Sequence, residues 1–78
     1  MFETSDLSLA TTLLCYGFKL SGTNRTDPKR IIFLFDKTGE LYLIDDVVKA
    51  YFAKQTSVEP SYFFSQIKFL KSQIYASN

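Results

Sequence analysis

Five consecutive apolar residues, Ile31 to Phe35, limit the folds open to this chain more than any other part of its sequence, and they lie between Arg30 and Asp36. A short continuous run of β-branched and aromatic side chains is typical of a strand buried on both faces. On the edge of a sheet such a run would promote aggregation. We therefore expect it at the centre of a small sheet, paired antiparallel with a strand over Phe18 to Ser21, where apolar and polar residues alternate.

A helix is predicted from about Asp6 to Tyr16, because its apolar residues recur three and four positions apart. Thr4 or Ser5 is suited to accept hydrogen bonds from the amides of the first turn. Gly17 follows directly and suits the left-handed conformation that ends many helices.

Two more helices are predicted in the second half of the chain. One begins at Glu40, and its expected buried stripe consists of Leu41, Ile44, Val48, Tyr51 and Phe52. The other opens at Glu59-Pro60, since proline is tolerated in the first turn. Its expected buried stripe consists of Phe63, Ile67, Leu70 and Ile74.

With a short strand over Met1 to Thr4, the predicted order is β-α-β-β-α-α, an α+β fold in which a small antiparallel sheet is combined with three helices. The chain has 78 residues, of which 46% are hydrophobic, so we expect one compact domain over residues 1–78.

Composition argues against most catalytic chemistry. The chain has no histidine and one cysteine, Cys15, so a zinc site or a histidine-based triad has too few side chains. The three glycines are too far apart for a phosphate-binding loop. We expect no enzyme activity, no catalytic residues, no cofactor and no metal.

Several features fit a cytoplasmic protein. The unpaired Cys15 is typical of a reducing compartment. No apolar run approaches the roughly 20 residues of a membrane helix. The beginning of the sequence, with Glu3 and Asp6, lacks the basic and apolar blocks of a signal peptide.

The aromatic content points to a binding surface. Phenylalanine and tyrosine make up 17% of the chain, which exceeds what one small core readily hides. In the last helix some of these rings lie off the buried stripe, and we expect them either to pack on the preceding helix or to contact a partner. The residues nominated for protein binding are Tyr62, Phe69, Lys68 and Lys71.

A nucleic-acid interface is the alternative. Arg25, Lys29 and Arg30 surround one loop, which contains an expected Asp27-Pro28 turn and precedes a strand with aromatic residues. The net charge of only +1 weighs against phosphate binding. A core strand flanked by solvated charges is the favoured interpretation of the same residues.

Three segments carry a resemblance to a known family: TSDLSLATTLLCYGFKL, TDPKRIIFLFD and VEPSYFFSQIKFLKSQIY. They resemble a family of short bacterial and phage proteins that is catalogued as a domain of unknown function. The resemblance implies a bacterial or mobile-element setting and supplies no catalytic residue. We expect a small non-enzymatic protein that binds a protein partner, with a homodimer as one form of that partner. An inhibitor or accessory of a host defence or nucleic-acid machine is the specific expectation.

Overall fold

The computed structural model describes residues 1–27, 29–39 and 41–75. Its elements are β1 (Phe2–Thr4), α1 (Leu7–Cys15), β2 (Leu20–Asn24), β3 (Ile32–Phe35), α2 (Ile44–Phe52) and α3 (Pro60–Tyr75). This order confirms the predicted α+β class and the β-α-β-β-α-α arrangement. Pro28 of the expected Asp27-Pro28 turn and Glu40, the expected first residue of the second helix, lie outside the described residues.

The three described strands form an antiparallel sheet with the order β1-β3-β2, so the apolar run does lie at the centre. Phe35 of β3 pairs with Phe2 on one side and Leu20 on the other. The second strand extends to Asn24, further along the chain than the predicted Phe18 to Ser21. Strand β2 begins later than predicted because Phe18 takes part in the hydrogen-bond motif that ends α1, as described below.

The central strand is fully buried on one face only. Phe33 and Phe35 are buried among the apolar side chains of the helices, whereas Ile32 and Leu34, on the opposite face, are half-buried. The expectation of burial on both faces is therefore wrong for the second face. The apolar cluster that includes Phe33 and Phe35 contains buried residues of all three helices, which places the core on that side of the sheet.

Helix α1 begins with an aspartate cap. The Asp6 carboxylate accepts a hydrogen bond from the Leu9 amide at 3.0 Å. The expected caps, Thr4 and Ser5, do not take this position: Thr4 belongs to β1, and its hydroxyl accepts instead from the Asp6 amide at 3.1 Å. The threonine thus orients the residue that caps the helix.

Gly17 ends α1 as predicted. It has a φ of 92°, its amide donates to the Leu14 carbonyl at 3.0 Å, and the Phe18 amide donates to the Leu13 carbonyl at 3.0 Å. These two bonds define a Schellman motif, which brings Phe18 back against the last turn. Both Phe18 and Leu13 are buried in the core, so the motif fixes the exit of the chain.

Helix α2 begins later than predicted, at Ile44. Its buried residues are Ile44 and Val47, with Val48 and Tyr51 partly buried. Leu41 and Phe52, both expected on the buried stripe, are exposed. Asp45 and Asp46 occupy the first turn, where the helix dipole favours negative charge.

Helix α3 begins at Pro60 and packs against α1. Leu70 of the predicted stripe is fully buried, and Phe63, Ile67 and Ile74 are partly buried, as expected. The rings outside this stripe are not buried against α2, since Tyr62 is 49% exposed and Phe69 is 43% exposed.

Candidate protein-binding surface

The centre of the site is Tyr16, which follows the last residue of α1 and contacts two other segments of the chain. Its hydroxyl accepts a hydrogen bond from the Ser57 amide at 3.0 Å and lies 3.3 Å from the Ser57 carbonyl, to which it donates. Its ring meets the ring of Tyr42 edge to face, with centroids 5.1 Å apart. One side chain therefore joins α1, the segment before α2 and the connection that leads into α3.

Shortly before Tyr42, the backbone at Gly39 passes close to the core. A Cβ atom there would lie 2.7 Å from Cε1 of Phe18 and 3.1 Å from the Tyr42 carbonyl oxygen. Because Phe18 is buried, its ring has little freedom to give way. Glycine at this position thus lets the chain pass close to the core before it reaches Tyr42.

These contacts form an open groove of about 410 Å³, which we call the tyrosine groove. It lies between the end of α1, the residues before α2 and the start of α3. Its lining residues are Cys15, Tyr16, Gly17, Leu41, Tyr42, Ser57, Val58, Glu59 and Tyr62. Leu41 is 84% exposed and Tyr42 is 47% exposed, so apolar surface is open to contact along one wall.

The carboxylate of Glu59, at the edge of the groove, accepts hydrogen bonds from the first turn of α3. Glu59 accepts hydrogen bonds from the Ser61 hydroxyl at 2.6 Å and from the Tyr62 amide at 2.7 Å. These bonds, the Ser61 hydroxyl first, lower the pKa of Glu59. The ionised carboxylate therefore fixes the helix start and, with it, the backbone that carries Tyr62.

Cys15 contributes apolar surface to the groove. Partial burial raises the pKa of its thiol, which keeps it protonated at neutral pH. A protonated thiol is a poor nucleophile and a small apolar group in packing. Within residues 1–27, 29–39 and 41–75, no three cysteine, aspartate or glutamate side chains form a group that could hold a metal ion.

The four residues nominated for protein binding do not share one surface. Successive helix residues differ by about 100° in direction, so Tyr62 and Phe69, seven residues apart, share one flank of α3. Lys68 and Lys71 lie on the opposite flank, where the Lys68 ammonium stands 4.7 Å from the centre of the Phe64 ring. Of the four, Tyr62 alone lines the tyrosine groove.

The three basic residues of the alternative interface are largely engaged in the fold. The Arg25 guanidinium donates to the Gln73 carbonyl at 2.7 Å, which ties the end of β2 to the last turns of α3. The Arg30 guanidinium donates to the Ser5 hydroxyl at 3.0 Å. Lys29 is exposed. The nucleic-acid alternative stays a prediction.

Sequence reasoning did not nominate Tyr16, which it placed at the end of the first helix. It also missed Leu41 and Tyr42, which it assigned to the second helix. The signal that could have found Leu41 and Tyr42 is the Asp45-Asp46 pair. Adjacent acidic residues favour the first turn of a helix, so the pair predicts a start near Ile44 and leaves the preceding apolar residues outside it.

The comparison with protein families places the chain in one family. Residues 1–76 match the family described as a domain of unknown function (DUF5659), and the chain belongs to that family. No curated protein and no solved structure matches it. Across the described part of the chain, no helix has the length and apolar character needed to cross a membrane.

Proposed function

We propose that this protein is a non-enzymatic binding module that holds an apolar segment of another protein in the tyrosine groove. One observation carries the proposal: three tyrosines from three separate segments converge on a single open groove, beside an almost fully exposed leucine. Tyrosines at interfaces supply large apolar contact area at low conformational cost, together with a hydroxyl that can form a hydrogen bond.

The chemistry of the groove favours a protein segment over a charged ligand. Its walls are aromatic and aliphatic, and its one carboxylate, Glu59, is occupied by hydrogen bonds to the start of α3. A few buried anchor residues, most often aromatic, carry most of the affinity in protein interfaces. In its most specific form, the proposal is that the partner belongs to a host defence or nucleic-acid machine of the bacterial cytoplasm. The resemblance to short bacterial and phage proteins supports the bacterial setting, and the unpaired Cys15 supports the cytoplasm.

Site-specific photo-crosslinking in the cell that makes the protein tests this proposal. A photoreactive phenylalanine analogue at position 41 should give one discrete adduct with another protein. Phe52 is the matched control, because it is also exposed and apolar but lies at the end of α2, outside the groove. The same analogue at position 52 should give no such adduct.

Three outcomes would contradict the proposal. No discrete adduct from position 41, or an equal yield from position 52, would remove the groove as the binding site. An adduct of twice the chain's own mass would show that the groove binds a second copy of this chain and not a different protein.

A further inference from the structure

The flank of α3 opposite Tyr62 carries a second exposed surface. Phe64, Lys68, Lys71 and Tyr75 follow one another at steps of four, three and four residues, so they share one side of the helix. All four are exposed, Phe64 by 59% and Tyr75 by 71%. We call this set the cationic stripe. At a rise of about 1.5 Å per residue, its two rings are about 16 Å apart, with both ammonium groups between them.

The stripe has positive charge and no acidic neighbour on its own helix. Helix α3 contains two lysines and neither aspartate nor glutamate. Within the described ranges, neither Lys68 nor Lys71 forms an ion pair with a carboxylate. The Lys68 ammonium instead lies over the Phe64 ring, a cation–π arrangement that holds both side chains in place. The charge is thus available to an external carboxylate.

The order of residues in the stripe disfavours contact between the stripes of two copies of this chain. Read in either direction, the stripe runs from ring to lysine to lysine to ring, with the same spacings. An antiparallel pair of α3 helices would therefore place Lys68 against Lys71 of the second copy, and a parallel pair would place each lysine against itself. Like charges at such a contact repel, so self-association through this face is disfavoured.

We infer that the cationic stripe binds an amphipathic helix of another protein that carries two acidic residues between two apolar ones. The apolar residues would contact Phe64 and Tyr75, and the carboxylates would pair with Lys68 and Lys71. An anionic lipid surface or a nucleic acid fits less well, because such surfaces recruit larger clusters of basic residues than this pair. The inference goes beyond the proposed function, since the tyrosine groove lies on a different flank.

A synthetic helical peptide tests this inference with the full chain. The probe carries leucine, glutamate, glutamate and leucine at the spacing of the stripe, in a background of alanine and glutamine, and its control has lysines in place of the glutamates. Fluorescence anisotropy of the labelled peptide measures the affinity. We expect binding of the acidic peptide that weakens as salt rises, and a loss of about tenfold or more in K68E/K71E.

The matched control is K49E/K54E, which reverses two exposed lysines of α2 and its end while leaving the stripe intact. It should bind like the unaltered chain, as should Y62A in the tyrosine groove, so failure of this inference and failure of the proposed function are distinguishable. K68Q/K71Q should lose affinity as well, which separates lost attraction from added repulsion, and circular dichroism should show all variants folded.

Several results would overturn the inference. These are no binding of the acidic peptide, equal binding of the lysine peptide, or full affinity in K68E/K71E. Tighter lysine-dependent binding to phosphatidylglycerol vesicles or to a single-stranded oligonucleotide would also overturn it, in favour of that class of partner.

Discussion

Helices α1 and α3 pack against each other, yet they bury very different shares of their surface. The nine residues of α1 include five consecutive buried ones, Leu9 to Leu13, whereas the sixteen residues of α3 include one fully buried residue, Leu70. The reason is position: α1 contacts α2, α3 and β1, while the main helix contact of α3 is with α1. Helix α3 therefore keeps two flanks exposed to solvent.

The buried threonines of α1 show what complete enclosure requires. The Thr11 hydroxyl donates to the Leu7 carbonyl at 2.7 Å, and the Thr12 hydroxyl donates to the Ser8 carbonyl at 2.9 Å. These bonds satisfy polar groups that would otherwise be costly to bury. On α3, Tyr62, Phe64, Phe69 and Tyr75 remain exposed, and removal of such apolar surface from water is favourable.

The largest expected effect comes from a substitution in the enclosed helix. Leu13→Ala should lower the free energy of unfolding by about 2–5 kcal/mol, because it leaves a cavity in the core. Phe64→Ala, on the exposed flank of α3, removes a larger side chain and should change that free energy by about 0.5 kcal/mol or less. Urea denaturation measures both. Similar losses in the two variants would show that α3 is as enclosed as α1.

An intermediate effect is expected at the two helix ends. Helix α2 ends in the same hydrogen-bond motif as α1, but Lys54, with a φ of 60°, stands where α1 has Gly17. A residue other than glycine costs about 1–2 kcal/mol in this conformation. Gly17→Ala should therefore destabilise by about 1 kcal/mol, and Lys54→Gly should stabilise by up to about 1 kcal/mol. Thermal unfolding of both variants checks the opposite signs; equal signs would refute this explanation.

The smallest effect concerns pH and the start of α3. The pKa of Glu59 is lower in the folded than in the unfolded chain, so its contribution to stability is present above the unfolded value. That contribution is lost as pH falls through the ordinary glutamate range towards the folded value. As pH falls through that range, urea midpoints should show the stability of the unaltered chain declining towards that of Glu59→Gln. A constant difference at every pH would contradict the assigned cap.

Much of the fold could be predicted because local signals agreed with the tertiary contacts. The apolar run from Ile31 gave the central strand, Gly17 gave the end of α1, and Glu59-Pro60 gave the start of α3. The start of β2 could not be predicted in the same way. The placement of Phe18 depends on a hydrogen-bond motif that pulls it into the core, whereas alternation in the sequence favours a strand there.

The candidate site was less predictable, because the groove depends on contacts between distant segments. Tyr16 and Ser57 are 41 residues apart, and no periodic pattern links them. Helical spacing could identify Tyr62 as lying off the buried stripe. It could not show that Leu41 and Tyr42 stand beside it, since those residues have the composition of a buried helix face.

Two measurements on the single variant Tyr62→Ala test the central claim most directly: its free energy of unfolding, and its adduct yield with the photoreactive residue at position 41. If Tyr62 serves contact rather than folding, stability should change by about 1 kcal/mol or less. The affinity for the partner, read from the adduct yield at a partner concentration below the dissociation constant, should fall about thirtyfold, the loss expected for a binding hot spot. An undiminished adduct, or a loss of stability comparable to that of Leu13→Ala, would contradict the claim.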